Sequence, residues 1–195
     1  MQVIMLNEIT QGGVAGHVAR RLIHLSILVT PFLYYFFLLP QFSVLFAHGV
    51  LIVIITGVLA FEFIRIRFGF VLFGQRYYEE DRVSAFAWTI SSLCVLFLFS
   101  PSIALSLPIV TACALVDPLM GEMRLRRLPA SLTLGLGFFL VLFIWLLSVT
   151  HLGIPWWFAW FAATVTILVE YPSFQWIDDN ALMLLVPLLL GLWLL

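Results

Sequence analysis

Leu22–Phe61 reads LIHLSILVTPFLYYFFLLPQFSVLFAHGVLIVIITGVLAF, forty consecutive residues without an Asp, Glu, Lys or Arg. A helix needs about 20 apolar residues to cross the ~30 Å hydrocarbon core of a bilayer, so the stretch is long enough for two crossings. Pro40-Gln-Phe-Ser43 lies near its middle and supplies a turn. The reading is a helical hairpin that goes out and returns, because in lipid each spanning segment must satisfy its own backbone polar groups.

The pattern recurs. Thirty-four charge-free residues separate Arg82 from Asp117 around Ser100-Pro-Ser102, and forty-two separate Arg127 from Glu170 around Thr150-His-Leu-Gly-Ile-Pro155. Ala181–Leu195 leaves room for one more short helix. The expected fold class is therefore an all-α, polytopic transmembrane bundle of about seven helices. These are Leu22–Leu39, Val44–Phe61, Val83–Phe99, Ile103–Val116, Ser131–Val149, Trp156–Val169 and Ala181–Leu195. No repeat or linker divides the chain, so residues 1–195 form a single integral-membrane domain, with 1–21 as an N-terminal segment and 22–195 as the bundle. The first sixteen residues lack a basic stretch followed by a long apolar run, and no cleaved signal peptide is expected.

Composition agrees. Of 195 residues 64% are hydrophobic and 10% charged, too little polar surface to cover a water-soluble particle. All the charged residues fall at one end of the expected helices. Arginine enrichment in short loops marks the cytosolic side, so this multi-pass protein should present its polar face to the cytosol. A net charge of −1 gives no basic excess to hold nucleic acid. The nine cationic residues are all arginine, which excludes the Walker A loop, Schiff-base chemistry and the usual protein-kinase site, each of which needs lysine. Cys94 and Cys113 sit apart in apolar stretches and read as buried thiols; His48 and His151 lie toward the other end and read as structural.

Four polar groups remain. His17, Arg20, Arg21 and His24 recur at i, i+3, i+4 and i+7, one cationic helix face suited to a polyphosphate. Glu62 and Arg65 are spaced to pair, and the run Arg76 to Arg82, with Glu79, Glu80 and Asp81, reads as a solvated loop. Asp117-Pro-Leu-Met-Gly121, followed by Glu122, Arg124 and Arg127, reads as a constrained loop after a short fourth helix. Asp117 is the leading metal ligand there, since Mg²⁺ takes one or two carboxylates and leaves its other positions to phosphate and water. Glu170 and Asp178-Asp179-Asn180 flank the last helix, which an Asp or Asn can cap. The fourth and seventh helices are short, about 20 to 23 Å at ~1.5 Å per residue, so their polar ends should lie below the lipid surface.

Taken in order, His17–His24 (HxxRRxxH), Glu62–Arg65 (ExxR), Asp117–Gly121 and Glu170 with Asp178-Asp179-Asn180 and Pro187 resemble the motifs of the polytopic CTP-dependent lipid kinases: dolichol kinase, phytol kinase and the yeast-type diacylglycerol kinase. His17 and Arg21 stand where that family usually has glutamate and lysine, and Val116 stands where it has glycine. The resemblance implies transfer of the terminal phosphate of CTP, or another nucleotide, to a membrane lipid alcohol such as a polyprenol, a phytol-like alcohol or diacylglycerol. In that scheme Arg20, Arg21, His24, Arg124 and Arg127 hold the phosphates, and Asp117 with Glu122 or Asp178 holds Mg²⁺. Asp179, Glu170 or Asp178 takes the hydroxyl proton, and Glu62, Arg65, Gly121 and Asn180 support the site. Two other readings use the same residues: a CTP-using phosphatidate-type cytidylyltransferase, and a non-enzymatic membrane transporter or assembly protein.

Overall fold

Gly13–Gln41 (α1), Val44–Phe68 (α2), Ala85–Phe99 (α3), Ile103–Leu125 (α4), Ala130–Leu152 (α5), Trp156–Glu170 (α6) and Asp179–Leu194 (α7) are the principal helices of the computed structural model, which describes residues 10–172 and 177–195. Among the described residues the chain forms no strand beyond an isolated bridge between Thr10 and Arg76. α1, α2, α4 and α5, of 29, 25, 23 and 23 residues, are long and apolar enough to cross a membrane. α3, α6 and α7 are shorter, at 15, 15 and 16 residues.

Helix starts and stops follow local chemistry. The Ser43 and Ser84 hydroxyls accept from the amides of Phe46 and Ala87, and Asp178 Oδ1 accepts from Asn180 N, so α2, α3 and α7 each begin on a side-chain cap. Gly69 (φ 64°) and Gly153 (φ 75°) end α2 and α5 in the left-handed conformation that glycine adopts without steric cost. Pro31 has no N–H for the carbonyl of Ile27; the Thr30 hydroxyl donates to that carbonyl instead, at 2.6 Å. Around it α1 tightens to a 3₁₀ turn at Ile27–Val29 and widens to a π turn at Leu33–Leu38.

Three boundaries differ from expectation, the first being that α2 runs past Phe61 to Phe68 and so carries Glu62 and Arg65 on the helix. α4 does not stop at Val116 but runs through Pro118 to Leu125, so Asp117 and Gly121 lie on a helix rather than in a loop. An interior proline costs a helix about 3 kcal/mol. Packing of α4 against α1, α5 and α7 offsets that cost. α1 likewise starts at Gly13, which makes the second half of the expected N-terminal segment helical; residues 1–9 lie outside the described residues.

α7 packs against α3, α4 and α6, α5 lies between α4 and α6, and α1 lies on α4. Trp145, Phe158, Ile109, Met183, Leu184 and Leu188 fill this core. Gly191 admits Leu105 and Gly137 admits Met120 at distances where a Cβ would collide, the close approach that small residues give packed membrane helices. α2 packs mainly on α3 and keeps most of its apolar side chains exposed, as at Val53 (70%) and Phe63 (72%). Lipid is the solvent that suits such a face.

Arg65 ties the chain between α2 and α3 to the bundle. Its Nε donates to both Glu62 oxygens at 3.2 and 3.1 Å, and Nη2 donates to Glu62 Oε2 at 2.9 Å. Its remaining N–H groups reach the carbonyls of Phe70, Glu79, Glu80 and Arg82. Glu62 also accepts from the Ser84 hydroxyl at 2.7 Å and amide at 3.1 Å. The guanidinium is fully buried with its donors satisfied, so the pair is a structural bolt. Arg65→Met should lower stability by about 3–5 kcal/mol, because it strands Glu62 in the interior. Unfolding in mixed detergent micelles measures the loss, and Glu62→Leu/Arg65→Met should recover part of it; an unchanged single variant contradicts the role.

Candidate functional site

Asp117 comes from the middle of α4, Glu170 is the last residue of α6 and Asp179 is the first of α7. One carboxylate oxygen from each lies within 4.8 Å of the other two. Glu170 has no exposed surface, Asp117 is buried and Asp179 is half-buried. At that separation two unit charges repel by about 3–4 kcal/mol at an effective dielectric of about 20, so the three acids cannot all stay ionised without a compensating cation or a shared proton.

Cationic side chains ring the cluster without filling it. Arg124 Nη2 lies 2.6 Å from Glu170 Oε1 and pairs with it, while Glu170 Oε2 is buried without a hydrogen-bond partner. Arg21 Nη1 donates to Asp117 Oδ2 at 3.4 Å. His24 Nε2 is 3.0 Å from the Cys113 carbonyl and 3.6 Å from Asp117 Oδ2. A carbonyl can only accept, so Nε2 carries a proton and presents its positive edge to Asp117. Asp178 caps α7 beside the cluster; burial, reinforced by the Asp179 charge, pushes its carboxyl well above the usual range.

The i, i+3, i+4, i+7 face of α1 divides in two. His24, Arg21 and His17 run antiparallel along α4, meeting the Cys113 carbonyl, Asp117 and Glu122 in turn; His17 Nε2 is 2.6 Å from Glu122 Oε1 and Arg21 Nε is 3.5 Å from the same oxygen. Gly121 lies directly under the Arg21 guanidinium, where a Cβ would overlap it. Arg20 points the other way and donates to Glu79 Oε1 at 3.1 Å.

Of the residues singled out in the sequence, Asp117, Glu170, Asp179, Arg21, His24 and Arg124 meet at this end, with Asp178 and Asn180 at the adjoining start of α7. Asn180 is buried beside the Cys113 thiol, 3.8 Å from Oδ1 to sulfur. Glu122 is not in the carboxylate cluster: one α4 turn from Asp117, it faces His17 and Arg21. Arg127 sits exposed at the α4–α5 turn with a left-handed backbone (φ 57°), and among the described residues it forms no ion pair. Glu62 and Arg65 belong to the bolt described above.

Glu79 and Gln75 were not anticipated as buried. The run Arg76 to Arg82 is solvated at Glu80, Asp81 and Arg82, whereas Glu79 is 4% exposed, accepting from Arg20 and the Ala85 amide. The signal that could have found it is the acid–base balance: Arg20 needs a carboxylate, and this loop is the nearest one left once Asp117 pairs with Arg21.

No family model, no curated protein and no solved structure matches the chain. The site's chemistry therefore rests on its geometry.

Gly121→Ala should change the stability of the wild-type background by less than about 0.5 kcal/mol, because displacing the Arg21 guanidinium cancels alanine's helix advantage. In an Arg21→Ala background the same change should instead stabilise by up to about 1 kcal/mol, because alanine is the better helix former once the guanidinium is gone. A thermodynamic cycle by detergent unfolding tests this, and additive effects contradict the contact.

Proposed function

We propose that the chain is an integral membrane phosphotransferase, which moves the terminal phosphate of CTP or another nucleoside triphosphate onto the hydroxyl of a lipid alcohol. The observation that carries this reading is the convergence of Asp117, Glu170 and Asp179 from three helices, with Glu170 fully buried and its Oε2 lacking a donor. Hard carboxylate oxygens so arranged suit Mg²⁺, which would sit among these three residues and neutralise phosphate oxygens.

The protein's own residues do the positioning. Arg21 and Arg124 already touch the acids and supply guanidinium forks for phosphate oxygens beside them. Arg20, paired with Glu79, and His24 extend that cationic wall toward α3. In the reaction the alcohol oxygen forms a bond to the terminal phosphorus as the bond to the bridging oxygen breaks. The nucleoside diphosphate leaves, and the hydroxyl proton passes to a carboxylate at the start of α7, Asp179 or Asp178. Phosphoryl transfer asks a protein mainly for such placement and charge stabilisation.

In this reading α3, α6 and α7 share the bilayer slab with the four long helices, which makes seven crossings. The short helices α6 and α7 draw Glu170 and Asp179 below the lipid surface, where a buried carboxylate needs a cation. The arginines at this end favour the cytosolic side, where nucleotide and Mg²⁺ are found.

Protein in nanodiscs, incubated with terminally labelled CTP or ATP, Mg²⁺ and a panel of lipid alcohols, should move label into the lipid fraction and leave the nucleoside diphosphate. Asp117→Asn and Asp179→Asn should each lower the rate by about a hundred- to a thousandfold without loss of insertion. Label confined to the aqueous phase with every alcohol overturns the reading, and a cytidylyl-lipid with released pyrophosphate replaces it with the transferase.

A further inference from the structure

An apolar cavity of about 690 Å³ lies between α1, α2 and α3, within the size range of small-molecule sites. Along α1 it runs from Arg20 to Leu38. That is about 27 Å at ~1.5 Å per residue, most of the depth of a hydrocarbon core.

The cavity is graded from end to end. Toward the α1 C-terminus it is walled by Tyr34, Phe37 and Phe97, and in the middle by Leu51, Leu93 and the Cys94 thiol. At the other end polar side chains close it, among them Arg20, Glu79, Thr89, His24 and Asn180. His24 and Asn180 are shared with the acid cluster: His24 Nε2 is 3.6 Å from Asp117 Oδ2, and Asn180 follows Asp179 in the chain. α2 packs on α3 and hardly on α1, so the wall between α1 and α2 is a seam on the side that faces lipid.

We infer that this cavity is the binding site for the hydrocarbon tail of a lipid alcohol, which enters between α1 and α2 and lodges its hydroxyl against His24 and Asn180 at the edge of the acid cluster. The role of the hydroxyl rests on the phosphotransferase reading; the chain site rests on the cavity.

The test is photo-crosslinking of the full-length protein in nanodiscs with a diazirine analogue of geranylgeraniol, with the modified peptides mapped by mass spectrometry. Adducts should concentrate on the α1, α2 and α3 segments that line the cavity, and unlabelled geranylgeraniol or hexadecanol should suppress them. Cys94→Phe and Leu51→Trp, which fill the cavity from opposite walls, should each lower the yield by about tenfold or more. Leu189→Trp, on an exposed apolar face of α7, should leave it unchanged. Either filling variant serves if the other does not elute as a monodisperse species. Asp179→Asn should still crosslink, which separates failure of the chemistry from failure of the chain site. Adducts spread over the lipid-facing surface and indifferent to both filling variants overturn the inference.

Discussion

The architecture turns on a carboxylate with nowhere to go. Glu170 ends α6 with no exposed surface, paired with Arg124 through Oε1 and without a donor on Oε2, and Asp117 and Asp179 bring two more acids against it. In a low-dielectric interior such a group is costly unless a positive charge shares it. Arg124 and Arg21 supply positive charge from the flanks, and in the proposed reading a bound cation would supply the rest. The rest of the molecule can be understood as the scaffold that holds three helices in that arrangement.

That scaffold is apolar and tightly packed where it carries α4, α6 and α7, and loose where it carries α2. Gly191 and Gly137 let neighbouring side chains close on the helices that carry the acids, while α1 is broken by Pro31 into 3₁₀ and π turns and lies against α4 through a polar ladder. Rigid support under the ionic end, with an irregular helix and an open seam beside it, is the division of labour expected where a charged reactant and a membrane-borne one must meet.

Much of the fold was legible because charge is excluded from lipid: the gaps in the charge pattern placed seven helices to within a few residues at most boundaries. The exceptions have physical causes. Asp-Pro at 117–118 resembles a helix start, yet packing of α4 against three neighbours carries it through to Leu125. Of the site, Asp117, Glu170, Asp179, Arg21 and His24 could be picked out as polar groups at the edge of apolar segments. Which acids share a cluster could not. Glu122 and Glu170 look equivalent in sequence, and only the angular position of Glu122 on α4, under His17, separates them. Glu79 was hidden for the same reason, since its burial depends on a loop folded by Arg65 from the preceding helix.

Electron paramagnetic resonance of Mn²⁺ added to the protein in nanodiscs measures the central claim directly, without any assumption about the reaction. The account predicts a single bound Mn²⁺ with carboxylate ligands, lost when Glu170 is changed to glutamine while Glu122→Gln retains it. A protein that binds no Mn²⁺, or binds it equally well without the Glu170 carboxylate, would contradict the account.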